Sequence, residues 1–215
     1  MKVLVTAGPT REPLDPVRFI SNRSSGKMGY AVAAAALRAG HQVCLVSGPV
    51  SIEPPRGAKI VRVGTADEML AAVKKNLRGC DVLVMAAAVA DWRPKRIAAR
   101  KLKKSAGPPR IEWVATPDIL QTIAPMKKKT QVFCGFAAET DRIASEARRK
   151  LRAKHLDVIA ANDVSKKDRG FETDRNALTV FCADGRSMRM ALAAKSKCAG
   201  WLLAILEEIS AQKKK

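Results

Sequence analysis

The feature that most restricts how this chain can fold is the run from Asp81 to Ala88, apolar at every position after the first. A strand with one face in water alternates apolar and polar side chains. An unbroken run marks a strand buried on both faces, as in parallel sheets covered by helices above and below. Parallel strands need crossover connections, and the chain supplies them. Apolar runs at 2–6, 42–46, 59–63, 131–135 and 156–161 alternate with segments of helical pattern. These are an alanine-rich stretch at 28–39 closed by Gly40, a stretch opened by the capping pattern Thr65-Ala66-Asp67-Glu68, one starting at Thr116-Pro117-Asp118, and 141–154 with Ile143, Ala147 and Leu151 on one face. Runs at 177–183 and 187–190 flank the hairpin signal Asp184-Gly185, and a helical stretch at 193–209 closes the chain. The pattern predicts one α/β domain over residues 1–215, a doubly wound, mostly parallel, Rossmann-like sheet with an antiparallel hairpin added at its C-terminal end.

In such sheets ligands sit outside the carboxyl ends of the strands, so the loops leaving the strands decide function. Between the first strand and the helix beginning near Lys27 lies a loop stiffened by Pro9, Pro13 and Pro16. It is dense in groups that bind without titrating easily: Thr10, Arg11, Arg18, Ser21, Asn22, Arg23, Ser24 and Ser25. Long ordered loops in compact domains are usually functional. The helix that follows turns its free N–H groups and its partial positive charge toward whatever the loop holds. Gly8, Thr10, Ser24, Ser25, Gly26 and Lys27 are therefore candidates for a phosphate or carboxylate site. Residues 93–113 are a second unusual segment. From Arg93 to Arg110 there are eight basic residues and no acidic one, bounded by Pro94 and Gly107-Pro108-Pro109, which predicts a basic flap.

The formal net charge of +20 calls for an anionic partner. Nucleic acid is one, but the basic residues are spread along the chain and aromatics are scarce, so platforms for stacking bases are missing. Small phosphorylated ligands fit better. The runs Lys127-Lys128-Lys129 and Lys213-Lys214-Lys215 read as solvated. His41 and His155 each fall at a helix-to-strand turn, which leaves no histidine-based triad and no metal-ligand spacing. The five cysteines lack a Cys-x-x-Cys pair and sit mostly among apolar neighbours, as reduced thiols of a cytoplasmic protein do. No run is long enough to cross a bilayer and the N-terminus lacks a signal-peptide layout, so no membrane association is expected. An NAD(P)-dependent reductase of similar sheet order is disfavoured. There is no Gly-x-Gly-x-x-Gly, the second strand exits through Ser47-Gly48-Pro49 with no acidic residue, and Tyr30 has no lysine four residues on. Gly26-Lys27-Met28 does not make a P-loop either.

Several blocks taken together resemble bacterial phosphopantothenoylcysteine synthetase. They are residues 6–18, the segment Ser21-Asn22-Arg23-Ser24-Ser25-Gly26-Lys27-Met28-Gly29, residues 86–94, Lys101-Leu102-Lys103-Lys104, Pro117-Asp118-Ile119-Leu120, residues 135–140 and Ala161-Asn162-Asp163. The resemblance implies a ligase of coenzyme A synthesis that joins L-cysteine to 4′-phosphopantothenate with CTP and Mg2+. The carboxylate attacks the α-phosphate, pyrophosphate leaves, and the cysteine amine displaces CMP from the acyl-cytidylate. It places Lys101, Lys150 and Lys154 at the triphosphate, and Asp91 with the backbone of Met85, Ala86 and Ala87 at ribose or metal. Pro117, Asp118, Ile119, Leu120 and Phe136 then form the wall that reads the base, Asn22 serves the acyl-cytidylate, and Arg18 meets substrate or intermediate. It also implies a homodimer joined in part by the flap, and a separate or removed phosphopantothenoylcysteine decarboxylase as a candidate partner. The chemistry needs charge neutralisation and alignment rather than histidine, and alignment of that kind supplies roughly 7 to 11 kcal/mol.

Overall fold

The computed structural model describes residues 1–163, 165, 170 and 173–214. In chain order its elements are β1 (Lys2–Ala7), β2 (Arg11–Pro13), β3 (Phe19–Ser21), α1 (Lys27–Arg38), β4 (Gln42–Ser47), β5 (Lys59–Arg62), α2 (Ala66–Leu77), β6 (Val82–Met85) and β7 (Trp92–Pro94), then β8 (Trp113–Ala115), α3 (Ile119–Ile123), β9 (Val132–Glu139), α4 (Ile143–Ala153), β10 (Val158–Asp163), β11 (Arg175–Cys182), β12 (Ser187–Ala194) and α5 (Lys195–Gln212). The main sheet runs β12-β11-β10-β9-β6-β1-β4-β5, parallel from β5 to β10 and antiparallel at β11 and β12. This is the doubly wound α/β fold that the buried apolar runs require.

Alternation along the strands divides the core. Val3 and Val5 of β1, with Val43, Val84 and Cys134, meet α1 and α5 on one face. Leu4, Val46, Leu83 and Phe133 meet α2, α3 and α4 on the other. Full burial of each such side chain stabilises the fold by about 1.5 to 3 kcal/mol. Close approach of α1 to β1 depends on Gly29, where a Cβ would lie 2.6 Å from that of Ala7 and 2.9 Å from Thr6 O.

Local chemistry moves several element boundaries. The strand expected over 81–88 leaves the sheet at Met85, because the N–H groups of Ala86 and Ala87 turn to Thr6 O and Thr6 Oγ1, at 3.3 and 3.2 Å. The helix expected from Thr116 starts at Ile119 with Asp118 as its cap, while the Thr116 hydroxyl donates to Ala90 O. Thr65 caps α2 as expected, but Glu68 reaches back to Gly64 N at 2.6 Å rather than to the cap itself. The paired ribbons β2–β3 and β7–β8, the second closing the base of the flap, are too short for any sequence period to reveal. The crevice between β1 and β4, where a dinucleotide fold keeps its acidic residue, is closed: a Cβ at Gly48 would overlap the Pro9 carbonyl.

The lysine runs are a correction. Lys127 and Lys213 hold the buried Asp157 carboxylate at 2.8 and 2.6 Å, and the same carboxylate accepts Phe133 N at 2.7 Å. Burial lowers the Lys127 pKa, with Asp157 opposing the shift. Lys128 donates to Arg78 O at 3.0 Å, and Lys214 pairs with Asp81 at 2.8 Å. Lys129 matches the solvated reading, Lys128 and Lys214 are exposed but paired, and Lys215 lies outside the described residues. The run at the chain's end thus pins α5 to β6 and β10 through carboxylates beside the strand starts.

Asp157→Ala strands a half-buried lysine and an N–H donor, so urea denaturation should show a loss of about 3 kcal/mol. Lys214→Ala, at a half-exposed pair, should cost under about 1 kcal/mol. Equal losses would show that Asp157 is not the centre of the clamp.

Candidate active site

The switch point of the sheet falls between β1 and β6, since the chain passes from β1 to β4 and β5 on one side and through β6, β9 and β10 on the other. Adjacent connections diverge there and leave a crevice at the carboxyl ends. The loops after these two strands are sewn together across it. Ala88 N donates to Gly8 O at 2.9 Å, Thr10 N to Ala88 O at 3.2 Å, and Ala90 N to Thr10 Oγ1 at 3.0 Å. Asn22 completes the seam, its amide nitrogen donating to the Ala88 and Val89 carbonyls at 3.1 Å each. With both N–H bonds used, what Asn22 can offer a ligand is its carbonyl oxygen, an acceptor.

A cavity of about 450 Å³ opens on this seam. Of the residues singled out in the sequence, Asn22, Ser24, Gly26, Lys27, Met85, Ala86, Ala87, Asp91, Pro117, Asp118, Ile119, Leu120, Phe136 and Lys154 line it. Lys154 reaches it from the C-terminal end of α4 and pairs with Asp118 at 3.0 Å, so the cap of α3 and this ammonium fix each other. Phe136 is only half-buried and both borders the cavity and packs on the core.

Six candidates lie elsewhere. Gly8 and Thr10 are buried in the seam, Gly8 in the left-handed region at φ 76°. Ser25 does not line the cavity, nor does Lys150, which pairs with Glu139 at 2.6 Å. Lys101 is exposed on the flap. The Arg18 guanidinium is turned to Asp15 at 2.6 Å and to Leu102 O at 2.7 Å. Asp15 also accepts the N–H groups of Val17, Arg18 and Leu102, and the Arg18 hydrogen bond holds its carboxyl well below the usual carboxylate range. Asp15 and Arg18 therefore tie the flap to the first loop.

Two side chains of the cavity have no counterpart in the sequence reading. Asn176, from β11, is 3% exposed and Lys195, the first residue of α5, is 6% exposed. Lys195 Nζ donates to Gly170 O at 2.8 Å. Burial first, then the nearby Lys27 charge, bring its pKa down to about 8. The one available signal was a lysine opening a helix, where a cation opposes the dipole.

Among the described residues no three His, Cys, Asp or Glu side chains gather to hold a metal by themselves. Asp91, exposed on the cavity wall, is a single hard oxygen donor, which suits Mg2+ arriving with phosphates that supply the other ligands. Among the described residues no helix is long and apolar enough to cross a membrane.

Fold and cavity together define a doubly wound α/β protein with a polar binding site at its switch point. Residues 1–210 match the DNA/pantothenate metabolism flavoprotein C-terminal domain, and the chain belongs to that family. It is similar to the coenzyme A biosynthesis bifunctional proteins CoaBC of Escherichia coli K12, 50% identical over 188 residues, and of Bacillus subtilis 168, 45% identical over 213. Those alignments cover 86% and 99% of this chain but 46% and 52% of the relatives, so the chain spans about half the length of the curated relatives it matches. The crystal structure of the C-terminal domain of CoaBC has the same fold, with a TM-score of 0.84 and 41% identity over 98% of each chain.

The Asp15 clamp predicts a change at the flap. Asp15→Asn removes the charge that holds Arg18 and weakens the acceptor for Leu102 N, so trypsin at pH 8 should cut the basic segment 95–104 several-fold faster. In the unaltered protein the Asp15 carboxylate should stay ionised through the ordinary carboxylate range, its contribution to stability being full above the ordinary carboxylate pKa and lost progressively as the pH falls from there through the depressed folded value. Unchanged cleavage in Asp15→Asn would remove the clamp from the account.

Proposed function

We propose that the chain is a phosphopantothenate–cysteine ligase that uses CTP and works through an acyl-cytidylate. The observation carrying this reading is that sequence blocks distant along the chain, and resembling the synthetase, meet in one cavity at the switch point of the sheet. The reaction is two displacements. The carboxylate of 4′-phosphopantothenate attacks the α-phosphorus of CTP and pyrophosphate leaves with the bonding electrons. The cysteine amine then attacks the acyl carbon, the acyl–phosphate bond breaks with its electrons on CMP, and the amine loses a proton.

Each step needs placement more than proton transfer, and the cavity is built for placement. The seam holds the backbone of residues 85–90 in one conformation without charged side chains, so the nucleophile and the α-phosphate can share it. Lys154 brings a cation beside the turn 117–120 and Phe136, which suit a pyrimidine and its phosphates. Asn22, an acceptor held by two carbonyls, suits an N–H of the attacking amine and orients its lone pair toward the acyl carbon. Mg2+ held by Asp91 and the nucleotide would neutralise phosphate charge.

Arg18, Lys101 and Lys150 enter this scheme through closure of the flap and a second copy of the chain. The exposed side chains of Val17, Phe19, Trp92, Ile97 and Trp113 fall on or beside the β2–β3 and β7–β8 ribbons, which supports a homodimer joined there. The bifunctional relatives support a decarboxylase as covalent or separate companion, and the free, mostly buried thiols support a reducing compartment such as the cytoplasm.

Purified protein should release pyrophosphate only when 4′-phosphopantothenate and CTP are both present, and CMP in full turnover only with cysteine added. Asn22→Asp replaces a donor to two carbonyls by a carboxylate that repels them, and the amide-forming rate should fall by about 10² or more. Release of pyrophosphate without phosphopantothenate, or an unchanged rate in Asn22→Asp, would overturn the assignment.

A further inference from the structure

A second cavity, of about 210 Å³, lies between the C-terminal half of α4 and the turn that joins β11 to β12, and no described residue lines both it and the first. It sits beside the start of β10, where Val158 pairs with Cys182. Among the described residues that line it, three are arginines, Arg148 and Arg152 from α4 and Arg186 from the turn, and none is acidic. Elsewhere acids hold the half-buried lysines 127, 150, 154 and 213, so this lining needs a reason of its own. The helix dipole accounts for Arg152 in the last turn of α4. It does not account for the other two. Arg148 stands one turn before Arg152, where like charges repel, and its guanidinium lies over the Phe181 ring, 4.7 Å from the centroid. Arg186 is held by two acids, Nε donating to Asp184 Oδ2 and Nη1 to Glu208 Oε1, at 2.7 Å each. Its Nη2 is buried and has no hydrogen-bond partner, the one such side-chain nitrogen among the described residues. A buried N–H without an acceptor is costly. Beside two further guanidinium groups, an oxyanion satisfies it better than a water does, because each N–H bond to an oxyanion is charge-assisted.

We infer that this cavity is a second anion site, separate from the active-site cavity, which takes a phosphate monoester on a short apolar body. The oxyanion sits among Arg148, Arg152 and Arg186, and the apolar part lies against Leu151, Leu156 and Phe181, all of them buried and all lining the cavity. By bulk volume the cavity has room for about seven waters, more than a bare phosphate fills. Two of the three arginines are already placed, Arg186 by its two acids and Arg148 by the aromatic face, so binding costs little side-chain freedom there. Arg152 has neither an acid nor a ring against it, and its ordering is the main entropic cost. A dianionic monoester brings more charge to three cations than a carboxylate does, which sets the class of ligand.

The test is titration of the whole chain with phenyl phosphate, inorganic phosphate and benzyl alcohol, followed by calorimetry and by amide hydrogen exchange. Phenyl phosphate should bind and slow exchange over residues 183–187, and each of the other two, which carries only half of the ligand's chemistry, should bind at least several-fold more weakly. Arg148→Gln and Arg152→Gln, at exposed positions that do not endanger folding, should each weaken phenyl phosphate by about tenfold. Affinity should rise as the monoester becomes dianionic above about pH 6. Equal affinity in the parent and both arginine variants, slowed exchange confined to the segments around the first cavity, or inorganic phosphate or benzyl alcohol binding as tightly as phenyl phosphate, each overturns the inference.

Discussion

The structure depends first on how the orphan backbone groups at the carboxyl ends of β1 and β6 are satisfied. A buried N–H without a partner costs about 1 to 3 kcal/mol, and parallel strands that separate at a switch point leave several. Here each loop satisfies the other. Gly8 and Thr10 exchange backbone bonds with Ala88, Thr6 and Thr10 lend hydroxyls to Ala87 and Ala90, and Asn22 spans Ala88 and Val89. The seam needs no charge, so its contribution does not depend on pH or salt. It also fixes the lining of the cavity before any ligand arrives, which is the form of preorganisation that positioning chemistry requires.

That dependence separates what the sequence displays from what it hides. The sheet was legible because burial on both faces writes an unbroken apolar run such as Val82 to Met85, and because Gly40 and the Thr65 cap mark helix ends by chemistry that acts within a few residues. The cavity was legible in the residues that sit on loops after strands, among them Asn22, Asp91 and Pro117. Gly8 and Thr10 were assigned toward a ligand and instead lie inside the seam, because a sequence cannot tell a polar side chain that faces a site from one that satisfies a buried neighbour. Lys195 and Asn176 were invisible for a different reason: β11 and α5 lie far along the chain from the first loop, and only the crossover topology brings their ends to it.

The same limit governs the lysines. Their number suggested a solvated surface or a diffuse anion-binding charge, yet Lys127 and Lys213 share Asp157 with Phe133 N, Lys214 holds Asp81, and Lys150 holds Glu139. These are internal pairings of a chain that has twice as many basic as acidic residues, 40 against 20. Several of the few acids each fix a particular element: Asp157 the end of α5, Asp118 the start of α3, Asp15 the flap. Basic residues without such a partner carry the excess outward, and the segment 93–110 has no acidic residue at all.

That distribution bears on how the cavity becomes complete. Lys101 and the other basic groups of the flap repel one another while the flap is fastened at its Leu102 end by Asp15 and Arg18. A ligand shifts such an equilibrium only by binding one arrangement better than the other. On the ligase reading, a nucleotide triphosphate would do so by charge, since its phosphates would lower the self-repulsion of the flap only with the flap over them. On the ligase reading, the nucleotide is therefore both substrate and the agent that completes its own site, and release of pyrophosphate removes most of the charge that kept the flap closed. The acyl-cytidylate would then remain held by the uncharged seam while the flap loosens, leaving a path for the cysteine amine to reach the acyl carbon beside Asn22.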